Sequence, residues 1–488
     1  MKKKVVSIVL CAAMLTTLVV GCGSSSSTST DSSSADSGSA SGESSADLIS
    51  SGNATGNPDD FDWKAYSGTT LEVQFNEHTY ANAVVEKLDD FTELTGIEVN
   101  YTITPESNYF DKLNTSLSSR SGTPDVYMTG AYQLWEYAPA GYVEPLEDYI
   151  NNQSLTASDY DFDDFYPAVT GALQWDLTAG HAVGSGSQWA LPMGYELNEV
   201  AYNKNALSDE QVEAIKTTDG LLETSKELEG WNGSGSYGIA IRGSRNWGTI
   251  HAGYMTLFGT WGGTDFAIED GSLVCKLNEQ EAVDMTDYWV QLAKTSTNQW
   301  STYTWSEASS DLGAGKAAML FDATSAAYFQ NFEGASDQSG NIAWAGVPLP
   351  EGKDTQLSNV WVWSLAMNAD SQNKEAAWYF IQYFTSKDFM QWSGTEGSCV
   401  DAPRQSVATS DEYKAVLEDA TNYANTFDEL IGNATILFTP QPYFFETTTT
   451  WASYLQDLVT SDTYSSTQEA MDALTDELNM TVSDIVVE

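Results

Sequence analysis

The stretch that decides the fold class is LEVQFNEHTYANAVVEKLDDFTELTGIEVNYTI, residues 71–103. Apolar and polar residues alternate over 71–75, which predicts a strand, and apolar residues then recur at helical spacing over 84–94. Gly96 predicts the end of that helix, and 97–103 alternates again as a second strand. A strand, a helix and a strand joined by short links predict a right-handed crossover in a parallel sheet, and therefore an α/β fold.

The residues directly after the first predicted strand are candidates for a binding site. Ligands of open α/β sheets bind at the carboxyl ends of the strands. Asn76, Glu77 and His78 stand at such an end. The stretch PDVYMTG, residues 124–130, predicts another buried strand, which follows a helix.

The composition excludes two classes of partner. Of 488 residues, 69 are Asp or Glu and 20 are Lys or Arg, so the formal net charge is −49. A body this acidic repels nucleic acid and anionic lipid, and we expect no nucleic-acid partner. The length of the chain suits two lobes better than one small core. The 16 Trp and 25 Tyr supply flat rings of the kind that pack on the apolar faces of sugars.

The N-terminus predicts export. Three lysines precede a mostly apolar segment, which is typical of a secretory signal peptide and predicts one over 1–21. The sequence VVGC, residues 19–22, resembles a bacterial lipobox, in which the cysteine carries the lipid. We therefore expect Cys22 to anchor the protein to the outer face of the cytoplasmic membrane. Residues 22–62 are rich in Ser and Gly, which predicts a disordered tether.

The sequence lacks the usual catalytic and metal-binding patterns. The three histidines are far apart, no GxSxG elbow occurs, and GSGSYG (233–238) precedes a strand-like segment instead of opening a helix. We therefore expect no catalytic residues, no metal and no cofactor. Cys275 and Cys399 belong to the mature body, and the sequence leaves open whether they form a disulfide.

Three stretches resemble the segments that cross between the lobes in extracellular solute-binding proteins, family 1, the substrate-binding lipoproteins of ABC importers. In the family's order they are WALPMGYELNEVAYNKNAL (189–207), GKAAMLFDATSAAYF (315–329) and VWVWSLAMNADSQNKEAAWYFIQYFTS (360–386). Shorter stretches are similar to the branch that binds polyols and related carbohydrates, namely IRGSRNWG (241–248), FDATSAA and APRQS (402–406).

This resemblance implies a periplasmic-binding-protein-like α/β fold with two lobes joined by three crossing segments around a ligand cleft. It places lobe 1 at 63–196 and 323–366, and lobe 2 at 197–322 and 367–488. It further implies a monomer that performs no chemistry, captures a neutral sugar, oligosaccharide or polyol by hinge closure, and delivers it to the permease of an ABC transporter. Two alternatives stay open. One is a secreted glycoside hydrolase, since 69 acidic residues allow many carboxylate pairs, and the other is a glycan-binding surface adhesin.

Candidate ligand-binding residues follow from the chemistry of sugars and polyols. Their hydroxyls need carboxylate, amide and guanidinium partners, and their C–H faces need aromatic rings. The main candidates are Glu77, Glu196, Arg242, Trp247, Asp322, Trp361, Trp363 and Arg404. A second group comprises Asn76, His78, Tyr132, Trp261 and Tyr443. For each aromatic residue the alternative is packing in the core, and for each charged residue it is a solvated surface or a buried ion pair.

Overall fold

The structure is a computed structural model that describes residues 48–49, 51–418 and 420–487. The predicted signal peptide at 1–21 and the predicted lipid site Cys22 lie outside these ranges. Within them, no helix combines the length and the apolar character that crossing a membrane requires.

The end of the predicted tether packs on the body. Two 3₁₀ turns, Ser51–Asn53 and Pro58–Asp60, lie in this segment. Thr55 forms a parallel β-bridge with Asn152. Backbone pairing of this kind corrects the disorder predicted for the last part of 22–62.

Strands and helices alternate along the rest of the described chain. The strands are β1 Thr70–Asn76, β2 Glu98–Thr104, β3 Val126–Gly130, β4 Gln174–Trp175, β5 Ser187–Gln188, β6 Leu191–Glu196, β7 Asn198–Asn203, β8 Tyr237–Ala240, β9 Phe266–Glu269, β10 Ser272–Cys275, β11 Ala317–Ala323, β12 Ile342–Trp344, β13 Ser358–Asn359, β14 Trp361–Met367 and β15 Ala434–Thr435. The helices are α1 Thr79–Glu86, α2 Leu88–Thr95, α3 Glu106–Ser118, α4 Leu134–Tyr137, α5 Glu147–Ile150, α6 Pro167–Gly171, α7 Asp209–Ala214, α8 Thr218–Glu227, α9 Trp247–His251, α10 Gly253–Trp261, α11 Gln280–Ala293, α12 Trp305–Gly313, α13 Thr324–Asn331, α14 Lys374–Phe384, α15 Lys387–Thr395, α16 Gln405–Ala408, α17 Asp411–Glu418, α18 Tyr423–Leu430, α19 Phe444–Thr460 and α20 Thr467–Thr481.

The first sheet has the order β2-β1-β3-β14-β6. As predicted, β1 runs parallel to β2, and Gly96 ends α2 in the left-handed conformation with φ 71°. Strand β1 also pairs parallel with β3. The helix predicted over 84–94 is divided into α1 and α2 at Lys87. Tyr101, predicted to share a face with the other apolar residues of β2, is 46% exposed, because β2 forms the edge of the sheet.

The second sheet has the order β12-β7-β11-β8. Strand β11 pairs antiparallel with β7 and parallel with β8, with Leu320 opposite Ala240. All seven residues of β11 and all six of β7 are buried, so this sheet is covered on both faces.

The crossing segments are tied together by buried amides. The chain passes from the first sheet to the second at Leu197, between β6 and β7, and returns at Val360, between β13 and β14. Asn198 Nδ2 donates a hydrogen bond to Asn359 O at 2.9 Å, and the backbone N–H of Leu437 donates to Asn359 Oδ1 at 2.9 Å. Three separate stretches of chain therefore meet at Asn359.

The segment 315–329, predicted as a crossing, stays with the second sheet, because β11 pairs there and α13 packs on it. Strand β12 also pairs with β7 of that sheet. By contrast, the ring of Phe380 in α14 lies 5.5 Å from that of Phe91 in lobe 1. We therefore propose that lobe 2 extends over 197–359, that lobe 1 resumes at 360 in place of the predicted changes at 323 and 367, and that α19 and α20 belong to lobe 2, as predicted for the end of the chain, because they pack on α11.

The two cysteines of the described body, Cys275 and Cys399, are free thiols and both are buried. Burial raises the pKa of each thiol to about 12. Both side chains therefore stay protonated and poorly nucleophilic at neutral pH.

Candidate ligand-binding site

A small chamber lies at the edge where β1, β6, β8 and β11 end. Its volume is about 30 Å³, and a wider cleft of about 800 Å³ lies outside it. The chamber is lined by His78, Glu106, Glu196, Arg242, Trp247, His251, Trp305, Ala323, Ser325, Ala326, Phe329, Trp361 and Trp363. Both lobes contribute to this lining, so a ligand held here contacts the two sheets at once.

Indole rings form one wall of the chamber. Trp361 and Trp363 stand two residues apart on β14, as the sequence predicts for neighbours on one face, with ring centroids 5.0 Å apart. The ring of Trp247 lies 5.3 Å from that of Trp361 at an angle of 32°. Gly130 of β3 makes room for Trp361, because a Cβ at this glycine would lie 2.0 Å from the indole.

Glu196 provides an acceptor at the end of β6. Its Oε1 accepts a hydrogen bond from Trp363 Nε1 at 3.2 Å and lies 3.7 Å from His78 Nε2. His78 Nδ1 accepts the backbone N–H of Tyr80 at 3.3 Å and so caps α1. Since Nδ1 acts as an acceptor, the proton of a neutral His78 belongs on Nε2, which faces Glu196 and the chamber.

Arg242 and Asp322 form a buried ion pair beside the indoles. Arg242 Nε donates to Asp322 Oδ2 at 2.8 Å and Nη2 donates to Oδ1 at 2.5 Å. Arg242 Nη1 donates to Gly248 O at 3.0 Å and lies 2.9 Å from His251 Nε2. The charge of Arg242 is thus balanced within the protein before any ligand enters.

His251 is a neutral donor at the same place. Burial, and then the charge of Arg242, hold the pKa of His251 well below its usual range. Because Nε2 accepts from Arg242, the ring proton belongs on Nδ1. Among the described residues Nδ1 has no hydrogen-bond partner. Because His251 lines the chamber, this N–H is a candidate donor to a ligand oxygen.

Glu106 and Trp305 line the chamber and were missed by the sequence analysis. Trp305 Nε1 donates to Glu106 Oε2 at 3.1 Å. Burial raises the pKa of the Glu106 carboxyl, and nearby Arg242 and the Trp305 hydrogen bond partly offset that effect. Glu106 follows the carboxyl end of β2, so the rule that singled out Asn76 to His78 would have found it. Trp305 has no comparable signal.

The predicted residues differ in their position relative to the chamber. Glu196, Arg242, Trp247, Trp361, Trp363 and His78 line the chamber, and Glu77 lines the outer cleft. Asp322 and Tyr132 lie behind the residues that line the chamber. Asp322 pairs with Arg242. The ring of Tyr132 packs 5.1 Å from that of Trp361, and its hydroxyl donates a hydrogen bond to Val360 O. Asn76 is fully buried, and its amide has no partner among the described residues.

Three predicted residues lie away from the chamber and the cleft, and this placement corrects their predicted ligand contacts. Arg404 is fully buried between the rings of Tyr160 and Phe165, and its Nη1 donates to Asp161 O at 2.8 Å. Its role is to hold loop 161–165 to the chain after α15.

The other two contact neighbours of their own. The ring of Trp261 packs 5.5 Å from that of Tyr288. The hydroxyl of Tyr443 donates to Asp484 Oδ2 at 2.7 Å. The sequence does not distinguish these two residues from the aromatic residues of the chamber. Aromatic side chains pack on other residues in the core and in the chamber alike, and only the fold shows which of the two places a given ring occupies.

The chamber is chemically suited to a neutral molecule rich in hydroxyl groups. Glu106 and Glu196 accept hydrogen bonds, the N–H of His251 donates one, and the indoles offer apolar faces. The arginine that an anionic ligand would contact, Arg242, already has its charge paired with Asp322. Across the described ranges, no group of His, Cys, Asp and Glu is arranged to hold a metal ion.

Comparison with known sequences places the chain in a family. Residues 75–391 match the family described as bacterial extracellular solute-binding protein. The erythritol/L-threitol-binding protein of Mycolicibacterium smegmatis is 40% identical over 405 residues, which cover 82% of this chain and 84% of that protein. The mannitol-binding protein of Pseudomonas aeruginosa is 25% identical over 296 residues, which cover 60% of this chain and 63% of that protein.

Comparison with solved structures confirms the predicted fold class. An ABC transporter solute-binding protein of Agrobacterium radiobacter K84, solved in complex with ribitol, matches with a TM-score of 0.71 at 21% identity. The match covers 85% of this chain and 99% of that protein. The periplasmic-binding-protein-like α/β fold with two lobes is therefore correct, and the family consists of exported binding proteins, which confirms that the protein is not an enzyme. The chain belongs to the bacterial extracellular solute-binding protein family.

Proposed function

We propose that this protein captures a neutral polyol or small sugar between its lobes and passes it to the permease of an ABC importer. The observation that best supports this function is the pairing, in one small chamber, of indole faces with carboxylate acceptors. The relatives named for erythritol, threitol and mannitol binding support the same ligand class.

The unpaired groups of the chamber favour hydroxyls over apolar ligands. His251 Nδ1 is a buried donor without a partner among the described residues. Leaving a buried polar atom unmatched costs about 1–3 kcal/mol. A ligand hydroxyl accepts from His251 while donating to Glu196 or Glu106, which an alkyl group cannot do. Several such bonds and one stacked ring supply roughly −8 kcal/mol, which corresponds to about micromolar affinity.

The charges of the chamber disfavour anions. Glu106 and Glu196 bring two carboxylates, and Arg242 is already held by Asp322. An acidic sugar would have to break a bidentate ion pair to gain a cationic partner. We therefore place the ligand among uncharged molecules.

We further propose that Cys22 carries a lipid and that the protein works as a monomer on the outer face of the membrane. The basic start, the apolar segment and the sequence VVGC support the lipid anchor. Delivery to permease subunits follows from the family's role in ABC importers.

Isothermal titration calorimetry of the protein against polyols, monosaccharides and oligosaccharides tests this function. We expect one ligand per chain, at about micromolar affinity or tighter, for a polyol or a small sugar, with no product formed. Turnover of a glycoside would support the hydrolase instead, and binding to polymers alone would support the adhesin. Heat changes that stay at the dilution level for the whole panel would refute the proposal.

A further inference from the structure

We propose that Asn359, which lines neither the chamber nor the outer cleft, positions two groups of the chamber wall, the donor His251 and the indole of Trp361. This inference deepens the proposed function and rests on it. It assigns to Asn359, which the sequence analysis did not single out, the role of a positioning residue that acts on the ligand through its neighbours.

Asn359 is fully buried, and each of its polar atoms has a hydrogen-bond partner. Its amide Nδ2 donates to His251 O at 2.7 Å and to Tyr132 Oη at 2.8 Å. Its backbone N–H donates to Thr256 Oγ1 at 3.0 Å, and its two oxygens accept from two further stretches of chain. Since a primary amide has two donor protons, both protons of Nδ2 are used.

The bond to His251 fixes the backbone from which the imidazole projects. Helix α9 ends at His251, so this carbonyl has no partner within the helix, and Asn359 Nδ2 supplies one. The imidazole centroid lies 5.4 Å from that of Trp247 and 5.4 Å from that of Trp361. A shift of this backbone therefore moves His251 Nδ1, which is unpaired among the described residues, relative to both indoles.

The bond to Tyr132 fixes the support of the indole wall. Tyr132 lies between β3 and α4 of the first lobe, and its hydroxyl accepts from Asn359 while it donates to Val360 O at 2.8 Å. Its ring packs 5.1 Å from that of Trp361. One amide therefore holds the backing of Trp361 in one lobe and the carbonyl of His251 in the other, directly before the chain returns to the first sheet.

This role depends on the two protons of the amide. In Asn359→Asp the side chain keeps the oxygen that accepts the N–H of Leu437. A carboxyl group carries at most one proton where the amide carries two. At least one of the bonds, to His251 O or to Tyr132 Oη, is then lost, and the chamber wall on that side loses its fixed position.

Calorimetry with linear polyols of four to six carbons measures the effect on binding. We expect Asn359→Asp to weaken binding of the tightest-binding polyol about ten-fold or more. The matched control is Asn368→Asp at the opposite end of β14. Asn368 is also buried, donates from Nδ2 to Pro124 O at 2.8 Å, accepts the N–H of Asp370 at 2.9 Å, and lines neither space. We expect this control to change affinity by less than about two-fold.

A second variant tests the proposal with a smaller change in the core. Tyr132→Phe keeps the ring that packs on Trp361 but removes the hydroxyl that accepts from Asn359. We expect it to weaken binding about three-fold. Circular dichroism identifies a temperature at which each variant is folded, and affinities are compared at that temperature.

NMR of the histidine ring nitrogens tests the positioning without any ligand. The sequence has three histidines, and His251→Gln identifies the signals of His251. We expect a neutral His251 ring with its proton on Nδ1 in the wild type, because Arg242 lies 2.9 Å from Nε2. Asn359→Asp should shift these signals toward a mixture of the two tautomers as the ring moves relative to Arg242, and Asn368→Asp should leave them unchanged.

The outcomes separate the two proposals. Wild-type affinity in both Asn359→Asp and Tyr132→Phe would overturn the positioning role, even if polyols bind well. Weaker binding with unchanged His251 signals would overturn it too, since the effect would then not pass through His251. Failure of every polyol to bind the wild type would overturn the proposed function, while shifted His251 signals in Asn359→Asp would still support Asn359 as the residue that positions His251.

Discussion

Arg242 and Asp322 meet in a bidentate ion pair although 80 positions separate them along the chain. The register explains the contact. Ala240 of β8 lies opposite Leu320 of β11 in a parallel pair. Arg242 and Asp322 each follow two positions later, so they lie side by side at the carboxyl ends of the two strands. The side chain of Asp322 is fully buried and that of Arg242 nearly so. Each charge therefore depends on the other for compensation.

We expect Asp322→Ala to lower the free energy of unfolding by about 3–5 kcal/mol, because it leaves the Arg242 charge buried without a partner. The double variant Arg242→Met, Asp322→Leu should recover most of that loss, since both charges are then absent. Denaturation in urea measures each value.

The matched control for this ion pair is Asp370→Ala. Arg120 Nη1 lies 3.1 Å from Asp370 Oδ2 at the surface, with the two side chains 49% and 31% exposed. We expect a loss below about 1 kcal/mol there. Equal losses at Asp322 and Asp370 would contradict the assignment of Asp322 as a buried partner.

The stability of the protein should fall as pH rises from about 4 toward 8, in part through Asp401. Burial, with a contribution from the Glu196 charge, raises the pKa of Asp401 to about 8, although Tyr423 donates a hydrogen bond to its Oδ1. The folded-state pKa thus lies above the ordinary unfolded value of 3.8. The stabilisation is complete below the unfolded pKa and is lost as pH approaches the folded pKa.

Asp401→Asn isolates this contribution, because an amide oxygen still accepts from Tyr423 and does not titrate. We expect the urea stability of the wild type, relative to Asp401→Asn, to fall by up to about 1.4 kcal/mol per pH unit between pH 4 and 8. Glu136, whose burial raises its pKa to about 7, acts in the same direction in both proteins and cancels in the comparison. Parallel stability curves for the two proteins would contradict the assignment.

Local pattern was enough to predict the framework of the site. The alternation of apolar and polar residues predicted β1, and Gly96 predicted the end of α2. Both features depend only on residues that are close together in the chain. The spacing of Trp361 and Trp363 likewise placed both indoles on one face of β14. These features need only the period of a strand or the backbone preference of a residue.

Contacts between distant segments could not be predicted in the same way. Trp305 reaches the chamber from the second lobe, and its indole N–H donates to Glu106, which follows a strand of the first sheet. Arg404 was singled out because basic residues are scarce, but scarcity does not reveal that Asp161 O and the ring of Tyr160 surround it in the core. Which buried charge serves a ligand and which serves the fold depends on packing between separate elements.

We expect Cys22→Ser to release the protein into the growth medium without changing its affinity for ligand, because the predicted lipid is attached at this sulfur. Cys11→Ser is the control, since Cys11 stands within the predicted signal peptide and should leave retention unchanged. Immunoblots of cell and medium fractions measure the distribution. Membrane retention of Cys22→Ser equal to that of the wild type would refute the lipid assignment.

Gly130→Ala should reduce ligand affinity about ten-fold or more, because the new Cβ would lie 2.0 Å from the Trp361 indole. The backbone cannot retreat, since Gly130 pairs with Trp363 of β14 in the middle of the first sheet. The indole must therefore move into a chamber of only about 30 Å³.

Gly263→Ala is the matched control for this steric effect. Its Cβ would lie 2.6 Å from the ring of Phe258, a buried aromatic residue that does not line the chamber. Both substitutions overpack an aromatic contact, and we expect each to lower the free energy of unfolding by about 1–3 kcal/mol. Calorimetry at a temperature where circular dichroism shows both variants folded then isolates the effect on binding. If Gly130→Ala binds as tightly as Gly263→Ala, Trp361 is not part of the wall against which the ligand packs.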